Sequence, residues 1–412
     1  MPRLIFVNRF FFPDHSATSQ ILSDLAFDLT GAGRTVHVVT SRQIYDDAKA
    51  ALPTDEIVNG VHVHRVASTR FGRSALFGRA LDYLSFYRSV GRYLTELAPQ
   101  GGDVIIAKTD PPLVAVVAMA AARRNGARLI NWLQDIYPET AVVLGVPLLR
   151  GPVAAGFAAL RDRTLRQAAA TVVAGELMGR VAASHGAPPP TIHVIPNWCD
   201  DEHIKPVTPA ANPLRQAWGL ADKFVFGYSG NLGRAHEFST VLAAAERLRA
   251  DPRFVFLMIG GGTRVAELHG IVWERRLDSS FRFMPYQERD QLPYSLGVPD
   301  AHWLSLDPRL EGLIVPSKFY GIAAAGKPIV IIADKDGELS RLVRQHDCGF
   351  VIAPGDVDTL LRALQQMARE PETVAQMGAR AREMLDAHFT RRQGLARWRE
   401  LLDGLAPSAR WS

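Results

Sequence analysis

Cysteine is scarce in this chain. Only Cys199 and Cys348 occur among its 412 residues, and neither belongs to a CxxC pair. A disulfide framework or a zinc site built on cysteine therefore lacks the ligands that it needs. The composition fits a reducing compartment, and we expect a cytoplasmic protein.

Long apolar runs are also missing. The longest, residues 113–122, is about half as long as a transmembrane helix requires. The N-terminal apolar run at residues 4–7 is too short for a cleavable signal, and aromatic and charged residues follow it at once. We therefore expect neither a signal peptide nor a membrane span, which leaves attachment to a membrane surface open.

Lysine is rare, because arginine supplies 40 of the 47 basic residues and the formal net charge is +5. GC-rich coding explains such a bias, but guanidinium groups also bind phosphate in a bidentate manner, so anionic ligands are not excluded. Apolar residues make up 47% and charged residues 22% of the chain, which is typical of a globular protein with ample core. The length favours two domains.

Short β-branched runs alternate with segments of helical periodicity in both halves of the chain. This alternation predicts parallel sheets covered by helices on both faces. The fold class expected is α/β, with two facing, Rossmann-like, doubly wound domains around a central cleft. Strands are predicted at residues 4–8, 35–41, 60–66, 103–108, 127–135, 170–175 and 191–198, and again at 224–231, 254–262, 281–286, 301–306, 326–333 and 348–354.

A segment rich in proline and polar residues, 196–213, separates the halves. We expect a first domain at residues 1–196 and a second at 197–385. A C-terminal helical segment at 386–412 follows them. Doubly wound domains bind ligands at the carboxyl ends of their strands, so the loops after those strands are the places to search.

Two such loops in the first half carry candidate residues. The loop at 10–19 leads into a helix whose free N–H groups can hold phosphate or sugar oxygens, although plain helix capping explains the same residues. The loop at 132–139 offers side chains that can bind sugar hydroxyls or cap the next helix. The catalytic candidates are Asp135, His15 and Gln134, and the acceptor-loop candidates are Ser16, Ala17 and Thr18.

The second half has glycine-rich loops at 228–237 and 260–262, and a Ser-Lys segment at 311–321 ahead of a helix of small residues. Glycines let backbone amides approach phosphates, and a lysine at a helix N-terminus attracts a diphosphate; an ordinary turn and a solvated lysine are the alternatives. The absence of GxGxxG disfavours a dinucleotide dehydrogenase. The donor candidates are Gly230, Asn231, Gly233, Arg234, His236, Pro316, Ser317 and Lys318 for the diphosphate, and Gly260, Gly261, Gly262, Pro285, Tyr286 and Glu311 for the nucleoside.

Five stretches carry a resemblance to a known family: NRFFFPDHSATSQ, NWLQDIYPE, VIPNWCD, GYSGNLGRAHE and LEGLIVPSKFYGIAAAGKPIV. With these stretches the chain resembles the family-4 glycosyltransferases of GT-B fold, especially bacterial members that build exopolysaccharide, capsule or O-antigen of lipopolysaccharide. The resemblance implies a retaining hexosyl or N-acetylhexosaminyl transferase that uses a nucleotide sugar, UDP-linked rather than GDP-linked. The resemblance further implies that the domain at residues 1–196 binds the acceptor, which is polyprenyl-linked or a glycan, and that the domain at 197–385 binds the nucleotide sugar. It implies no cofactor and no metal for the diphosphate. The C-terminal helix is expected to return to the first domain.

The chain departs from the family pattern at the residues that neutralise the diphosphate. The arginine and lysine of the family fall at Asn231 and His236 in this sequence. We expect Arg234 and Lys318 to supply the missing charge.

A second departure concerns carboxylates. The paired glutamates of the family fall at Leu313 and Gly321, and Glu311 lies two residues before the first of these positions. In the family the leaving phosphate can itself accept the proton of the acceptor, so retention needs no protein nucleophile. Asp135 and His15 remain candidates for orienting the donor sugar or the acceptor hydroxyl.

The segment at residues 65–92 combines basic and aromatic residues and holds a single acid, Asp82. Such a stretch can dock on anionic lipid, which predicts a peripheral protein on the inner face of the plasma membrane; a solvated basic helix face is the alternative. No nucleic-acid motif accompanies the patch, so nucleic acid is not an expected partner. The arginines are Arg65, Arg70, Arg73, Arg79, Arg88 and Arg92.

Two other functions stay open on the sequence. A sugar-nucleotide epimerase of the same fold would act on the donor alone, so a requirement for an acceptor distinguishes it. A non-catalytic nucleotide- or glycan-binding subunit is compatible with the missing carboxylate at Gly321.

Overall fold

The computed structural model describes residues 2–44, 51–71, 76–147 and 149–405. These residues form two compact α/β units. The first holds residues up to 196 together with 312–314 and 394–405, and the second holds 197–311 and 315–393. Within the C-terminal segment, residues 386–393 group with the second unit and those from 394 with the first.

The first unit is built on an eight-stranded sheet. Its strands are β1 (Arg3–Val7), β2 (Thr35–Ser41), β3 (Asp55–Val58), β4 (Val61–Val66), β5 (Val104–Lys108), β6 (Arg128–Trp132), β7 (Ala170–Val173) and β8 (Ile192–Val194). Their order is β3-β4-β2-β1-β5-β6-β7-β8, and only β3 runs antiparallel to its neighbour. The order reverses between β1 and β5, where a doubly wound sheet leaves a crevice at its carboxyl edge.

Helices cover the sheet because its strands are apolar on both faces. β5 is buried at every residue, and Ile105 packs with Phe86 and Val90 from a neighbouring helix. The helices are α1 (Ala17–Gly31), α2 (Leu76–Leu97), α3 (Val114–Asn125), α4 (Glu139–Val143), α5 (Gly151–Gln167) and α6 (Glu176–Ser184). α3 packs against both α2 and α5, so these three helices form a continuous layer.

The second unit has a six-stranded, fully parallel sheet. Its strands are β9 (Phe224–Asn231), β10 (Phe254–Gly261), β11 (Phe281–Met284), β12 (Ala301–Ser305), β13 (Ile329–Ile332) and β14 (Gly349–Ile352). The order β11-β10-β9-β12-β13-β14 is that of a doubly wound nucleotide-binding sheet, with its switch point between β9 and β12. Phe226, Phe256 and Trp303 lie at the centre of its core.

The helices of this unit precede, connect and follow the strands. They are α7 (Pro213–Ala217), α8 (Ser239–Arg247), α9 (Val265–Glu274), α10 (Leu292–Gly297), α11 (Lys318–Ala324), α12 (Glu338–Gln345), α13 (Val357–Arg369) and α14 (Pro371–His388), and α15 (Arg391–Gly404) ends the described chain. From Gly394 on, α15 belongs to the first unit, where Trp398 is fully buried with its ring centroid 4.5 Å from that of Trp132. None of the described helices is both long and apolar enough to cross a membrane.

The predicted α/β class is confirmed, and the differences are local. The strand expected at 127–135 ends at Trp132, so residues 133–135 lie in the loop after it. The edge strand β3 was not predicted, although Asn59 and Gly60, both at positive φ, form the two-residue turn that joins it to β4. An Asn-Gly pair is a hairpin signal, and helix-strand alternation alone does not reveal an antiparallel edge strand of this kind.

Candidate active site

Glycines at the carboxyl ends of β9 and β10 bring two backbone segments into contact. Gly230 and Gly260 have φ of 121° and 122°, and a Cβ on Gly260 would overlap the carbonyl oxygen of Gly230. A Cβ on Gly262, where φ is 127°, would lie 2.5 Å from the backbone nitrogen and oxygen of Leu232. Only glycine fits these positions, and the backbone at this end of the sheet is exposed to an approaching ligand.

Lys318 crosses directly over the end of β9. A Cβ on Gly230 would lie 2.7 Å from Lys318 Cε, so the missing side chain makes room for the lysine. Lys318 Nζ lies 3.4 Å from His236 Nε2 and 5.4 Å from the ring centroid of Tyr228. Gly230, His236 and Lys318, three of the predicted diphosphate-binding residues, therefore meet at one point.

The two titratable groups of this cluster have displaced pKa values. Burial, with the neighbouring ammonium of Lys318, lowers the pKa of His236 to about 3. The neutral ring donates from Nδ1 to the carbonyl oxygen of Ser305 at 2.7 Å, which leaves Nε2 to accept a hydrogen bond from Lys318. Desolvation lowers the pKa of Lys318 to about 8, so its ammonium persists at neutral pH. His236 thus orients the positive charge of Lys318 and adds none of its own.

The loop after β9 buries Leu232 but presents polar residues on either side of it to solvent. Arg234 is exposed and forms no ion pair with any residue that the structure describes, so its guanidinium is free to meet an anion. Gly233 has open space around its Cα, since an added Cβ would find its nearest neighbour, Asn231 Nδ2, at 3.8 Å. The exposed Asn231 accepts a hydrogen bond at its carbonyl from the hydroxyl of Tyr228, 2.7 Å away.

Arg264 shapes the same loop and was missed on the sequence. Its Nη1 donates to the carbonyl oxygen of His236 at 2.8 Å, and its guanidinium stacks 4.2 Å from the ring centroid of Phe238. Glu267 pairs with the other nitrogens at 2.7 Å and 2.9 Å. Arg264 follows the glycines at 260–262 by two residues, and this position is the sequence signal for its role, since a guanidinium there reaches back to the loop after β9.

The nucleoside candidates divide into two places. The ring of Tyr286, which is 54% exposed, lies against Gly261, because a Cβ there would fall 2.8 Å from Tyr286 Cε2. Pro285 is exposed beside it. Glu311 instead accepts a hydrogen bond from the backbone nitrogen of Glu338 at the start of α12, at 3.3 Å, and burial raises its pKa to about 7.

The N-terminus of α11 contributes a smaller positive helix dipole than the sequence suggests. α11 has only seven residues, and Ser317 at its N-cap makes no capping hydrogen bond with its side chain. Pro316 and Ser317 are half-buried. Because so short a helix has a small dipole, the positive charge at this position comes mainly from Lys318.

In the first unit, Asp135 lies in the loop after β6, and its carboxylate accepts a hydrogen bond from the side chain of Thr109. Burial, with a contribution from Asp110, raises the pKa of Asp135 to about 6. The backbone nitrogen of Gln134 donates to Thr109 Oγ1 at 3.0 Å, while the buried Nε2 of Gln134 has no partner among the described residues. A cavity of about 20 Å³, enough for one water, adjoins Asp135 and the side-chain amide of Asn131, for which the residues that the structure describes supply no hydrogen-bond partner.

The loop after β1 presents the other first-unit candidates. His15 and Ala17 are exposed, and the carboxylate of Asp14 accepts a hydrogen bond from the backbone nitrogen of Ser16 at 2.9 Å. The fully buried Lys108 donates to the carbonyl oxygen of Thr18 at 3.0 Å and fixes the start of α1. Since β5 lies between β1 and β6, this loop and that of Asp135 stand two strands apart at one sheet edge.

Comparison with known families accounts for nearly the whole chain. The model of the glycosyl transferase 4-like domain matches residues 17–198, and that of glycosyl transferases group 1 matches residues 212–384. The chain belongs to the family-4 glycosyltransferases. It is a glycosyltransferase of GT-B fold, as the sequence motifs indicated.

Individual relatives agree with this assignment. The enzyme is 25% identical over 294 residues to the probable glycosyltransferase WbjE of Pseudomonas aeruginosa, which covers 70% of this chain and 71% of that protein. It is 28% identical over 258 residues to the putative colanic acid biosynthesis glycosyl transferase WcaI of Escherichia coli K12, covering 61% and 62% of the two chains.

Solved structures share the fold at low identity. The sucrose-phosphate synthase of Thermosynechococcus elongatus superimposes with a TM-score of 0.80 at 15% identity, covering 98% of this chain and 99% of that one. Anabaena HepE in complex with UDP-glucose gives a TM-score of 0.71 at 18% identity, covering 98% and 100%.

Proposed function

We propose that this glycosyltransferase moves a sugar, with retention, from a UDP-sugar rather than a GDP-sugar to a polyprenyl-linked or glycan acceptor in bacterial surface polysaccharide synthesis. The convergence of Lys318, His236 and Gly230 at the carboxyl end of β9 carries the proposal. The names of WbjE and WcaI, and the UDP and UDP-glucose complexes of HepE, support the substrate classes.

The leaving group explains why this cluster matters. When the glycosidic bond breaks, negative charge grows on the β-phosphate of the nucleoside diphosphate. Lys318, the free guanidinium of Arg234 and the open backbone around Gly233 are placed to stabilise that charge, and preorganised donors of this kind commonly supply the largest catalytic contribution. The ring of Tyr286 beside Gly261 offers a surface for the base.

The first unit would hold the acceptor. Asp135, with its pKa near 6, is ionised at neutral pH and can accept a hydrogen bond from a sugar hydroxyl. Gln134, whose amide nitrogen has no partner within the described part of the chain, and the exposed His15 are the other groups that can orient the acceptor or the donor sugar. The proton of the attacking hydroxyl passes to the departing phosphate, so no second carboxylate is needed.

A transfer assay tests the proposed function. Purified enzyme should release UDP from one member of a panel of UDP-sugars only when a lipid-linked saccharide acceptor is present, and the product should keep the anomeric configuration by NMR. UDP should also raise the melting temperature more than GDP, since a ligand that binds the native state alone stabilises it. Conversion of the donor without an acceptor would instead indicate an epimerase, and binding without turnover a non-catalytic subunit.

Donor binding should depend on pH through Lys318. Its ammonium dominates below its pKa of about 8, and only the charged form attracts the diphosphate. The affinity for UDP should therefore be constant near pH 7 and fall by up to about tenfold per pH unit above pH 8. In Lys318→Arg the guanidinium stays charged, so isothermal titration between pH 7 and 9.5 should show the fall disappear; an unchanged fall would exclude Lys318 as its source.

The basic segment contributes less charge than expected. Arg65 is buried and pairs with Glu56, so it cannot face a membrane, and Arg73 lies outside the described residues. Arg70, before α2, and Arg79, Arg88 and Arg92, on α2, are exposed. We retain the proposal that the enzyme attaches to an anionic membrane surface, with about 1 kcal/mol from each basic residue near the headgroups.

A further inference from the structure

Exposed apolar side chains are concentrated on one layer of the first unit. Six of the ten large apolar side chains that are exposed among the described residues lie on α2, α4 and α5 or directly beside them. They are Phe71, Phe77, Leu84, Val142, Val153 and Leu160. Single exposed apolar residues are ordinary, but such a concentration marks an interaction surface.

The sequence of this surface is unusually free of charge. Residues 141–160, which include the last three residues of α4 and more than half of α5, contain a single ionisable residue, Arg150. Val153 is 51% and Leu160 42% exposed, one two-turn interval apart on the same face of α5. α3 packs between α2 and α5, so the exposed faces of α2 and α5 belong to one layer.

The layer is polarised along its helices. α2, α3 and α5 each lead from one parallel strand to the next, so all three begin at the carboxyl edge of the sheet, where Asp135 lies. The exposed apolar residues of α2 and α5 fall within the first ten residues of each helix, or roughly 13 Å of its length. Of the seven exposed arginines on these helices, Arg79 lies in the first turn of α2, and the other six lie in the second halves of the helices: Arg88, Arg92, Arg123, Arg124, Arg163 and Arg166.

We propose that this helix layer inserts its apolar end into an anionic bilayer, with the arginines contacting lipid phosphates. Charge complementarity selects this partner: the exposed ionisable residues of α2, α3 and α5 are seven arginines and one acid, Glu96. A second copy of the chain would bring the same arginines against each other, since a two-fold interface pairs a patch with itself. The apolar zone, roughly 13 Å long, is of the same order as the depth of about 5–10 Å to which interfacial helices are buried.

The insertion places the catalytic edge of the first unit at the level of the headgroups. A lipid-linked saccharide emerges from the membrane at that level, so its sugar would meet the loops of Asp135 and His15. This inference rests on the proposed lipid-linked acceptor. It differs from attachment by charge alone in requiring the apolar residues of α5, which lie outside the basic segment at 65–92.

Vesicle co-sedimentation tests the insertion. The full chain should bind vesicles of phosphatidylglycerol and phosphatidylcholine, and should keep part of that binding in 0.5 M salt, in which roughly 4–5 Å screening removes exposed charge attraction. Val153→Ser/Leu160→Ser should weaken binding at least about tenfold at either salt concentration, because two aliphatic side chains no longer leave water. Arg163→Ser/Arg166→Ser should weaken binding at low salt only.

The matched control is Ile57→Ser/Trp273→Ser, which removes two apolar residues, both more exposed than Val153 and Leu160, from β3 and α9 and should bind as the parent does. Binding of Val153→Ser/Leu160→Ser equal to that of the parent would overturn the inference. So would a change from dimer to monomer in that variant by light scattering, because the surface would then belong to a second copy. The melting-temperature shift with UDP, measured on each variant, reports separately on the proposed donor site.

Discussion

Lys318→Met should reduce turnover by about 10²- to 10³-fold and abolish measurable binding of UDP. The substitution keeps the aliphatic stem that crosses Gly230 and removes the ammonium beside His236, so the change is one of charge and hydrogen bonding. A single lost donor to a transition-state oxyanion costs about 3–4 kcal/mol. Steady-state kinetics and isothermal titration with UDP give the two quantities.

Stability separates this effect from misfolding. Because Lys318 is desolvated, its replacement by methionine should leave the melting temperature unchanged or raise it. Lys205→Met, at an exposed position, is the matched control and should behave as the parent. Normal UDP affinity in Lys318→Met would mean that the phosphates lie elsewhere.

The double variant Lys318→Met/His236→Lys tests whether Lys318 supplies the positive charge that a lysine at position 236 supplies in the family. The lysine of the family falls at position 236, and the side chains of His236 and Lys318 meet here at 3.4 Å. A lysine at 236 with methionine at 318 should therefore recover part of the lost UDP affinity. Failure of the double variant in a normally folded protein would show that the two positions do not share one phosphate.

Gly260→Ala should destabilise the enzyme by about 2–5 kcal/mol and abolish donor binding. Its φ of 122° strains any residue with a Cβ, and the new methyl would overlap the carbonyl oxygen of Gly230. Neither segment can retreat easily, because Leu232 donates its N–H to Gly261 at 2.7 Å. Thermal unfolding without ligand measures the loss.

Gly233→Ala is the informative counterpart. Its surroundings leave room for a methyl group, so the folded chain alone does not require glycine there. If the backbone at 233 must approach a phosphate closely, Gly233→Ala should keep the melting temperature within about 1 °C of the parent yet lose at least tenfold in UDP affinity. A variant that binds UDP normally would show that this glycine serves only the turn.

The sequence predicted the frame well because hydrophobic periodicity and strand-helix alternation are local signals. The strands at 35–41 and 224–231 appear with those bounds. The family motifs in turn located the loops after β9 and before α11, where Gly230, His236 and Lys318 meet. What a local signal cannot reveal is which side chains converge from distant segments.

Three residues illustrate that limit. Lys108 ends an apolar strand, and only the fold shows that its ammonium holds Thr18, 90 residues away in the chain. Arg65 belongs to a basic segment but is buried against Glu56. Glu311 lies within a stretch that resembles the family, yet its carboxylate accepts a hydrogen bond from the backbone of Glu338 at the start of α12. In each case a contact between distant segments decides the role, and neither composition nor spacing encodes it.

A crystal structure of the enzyme with UDP tests the central claim most directly. The account predicts the β-phosphate within hydrogen-bond distance of Lys318 Nζ, with the backbone of residues 230–234 beside it and the uracil near Tyr286. A diphosphate bound away from Lys318 and from the glycine-lined ends of β9 and β10 would contradict it.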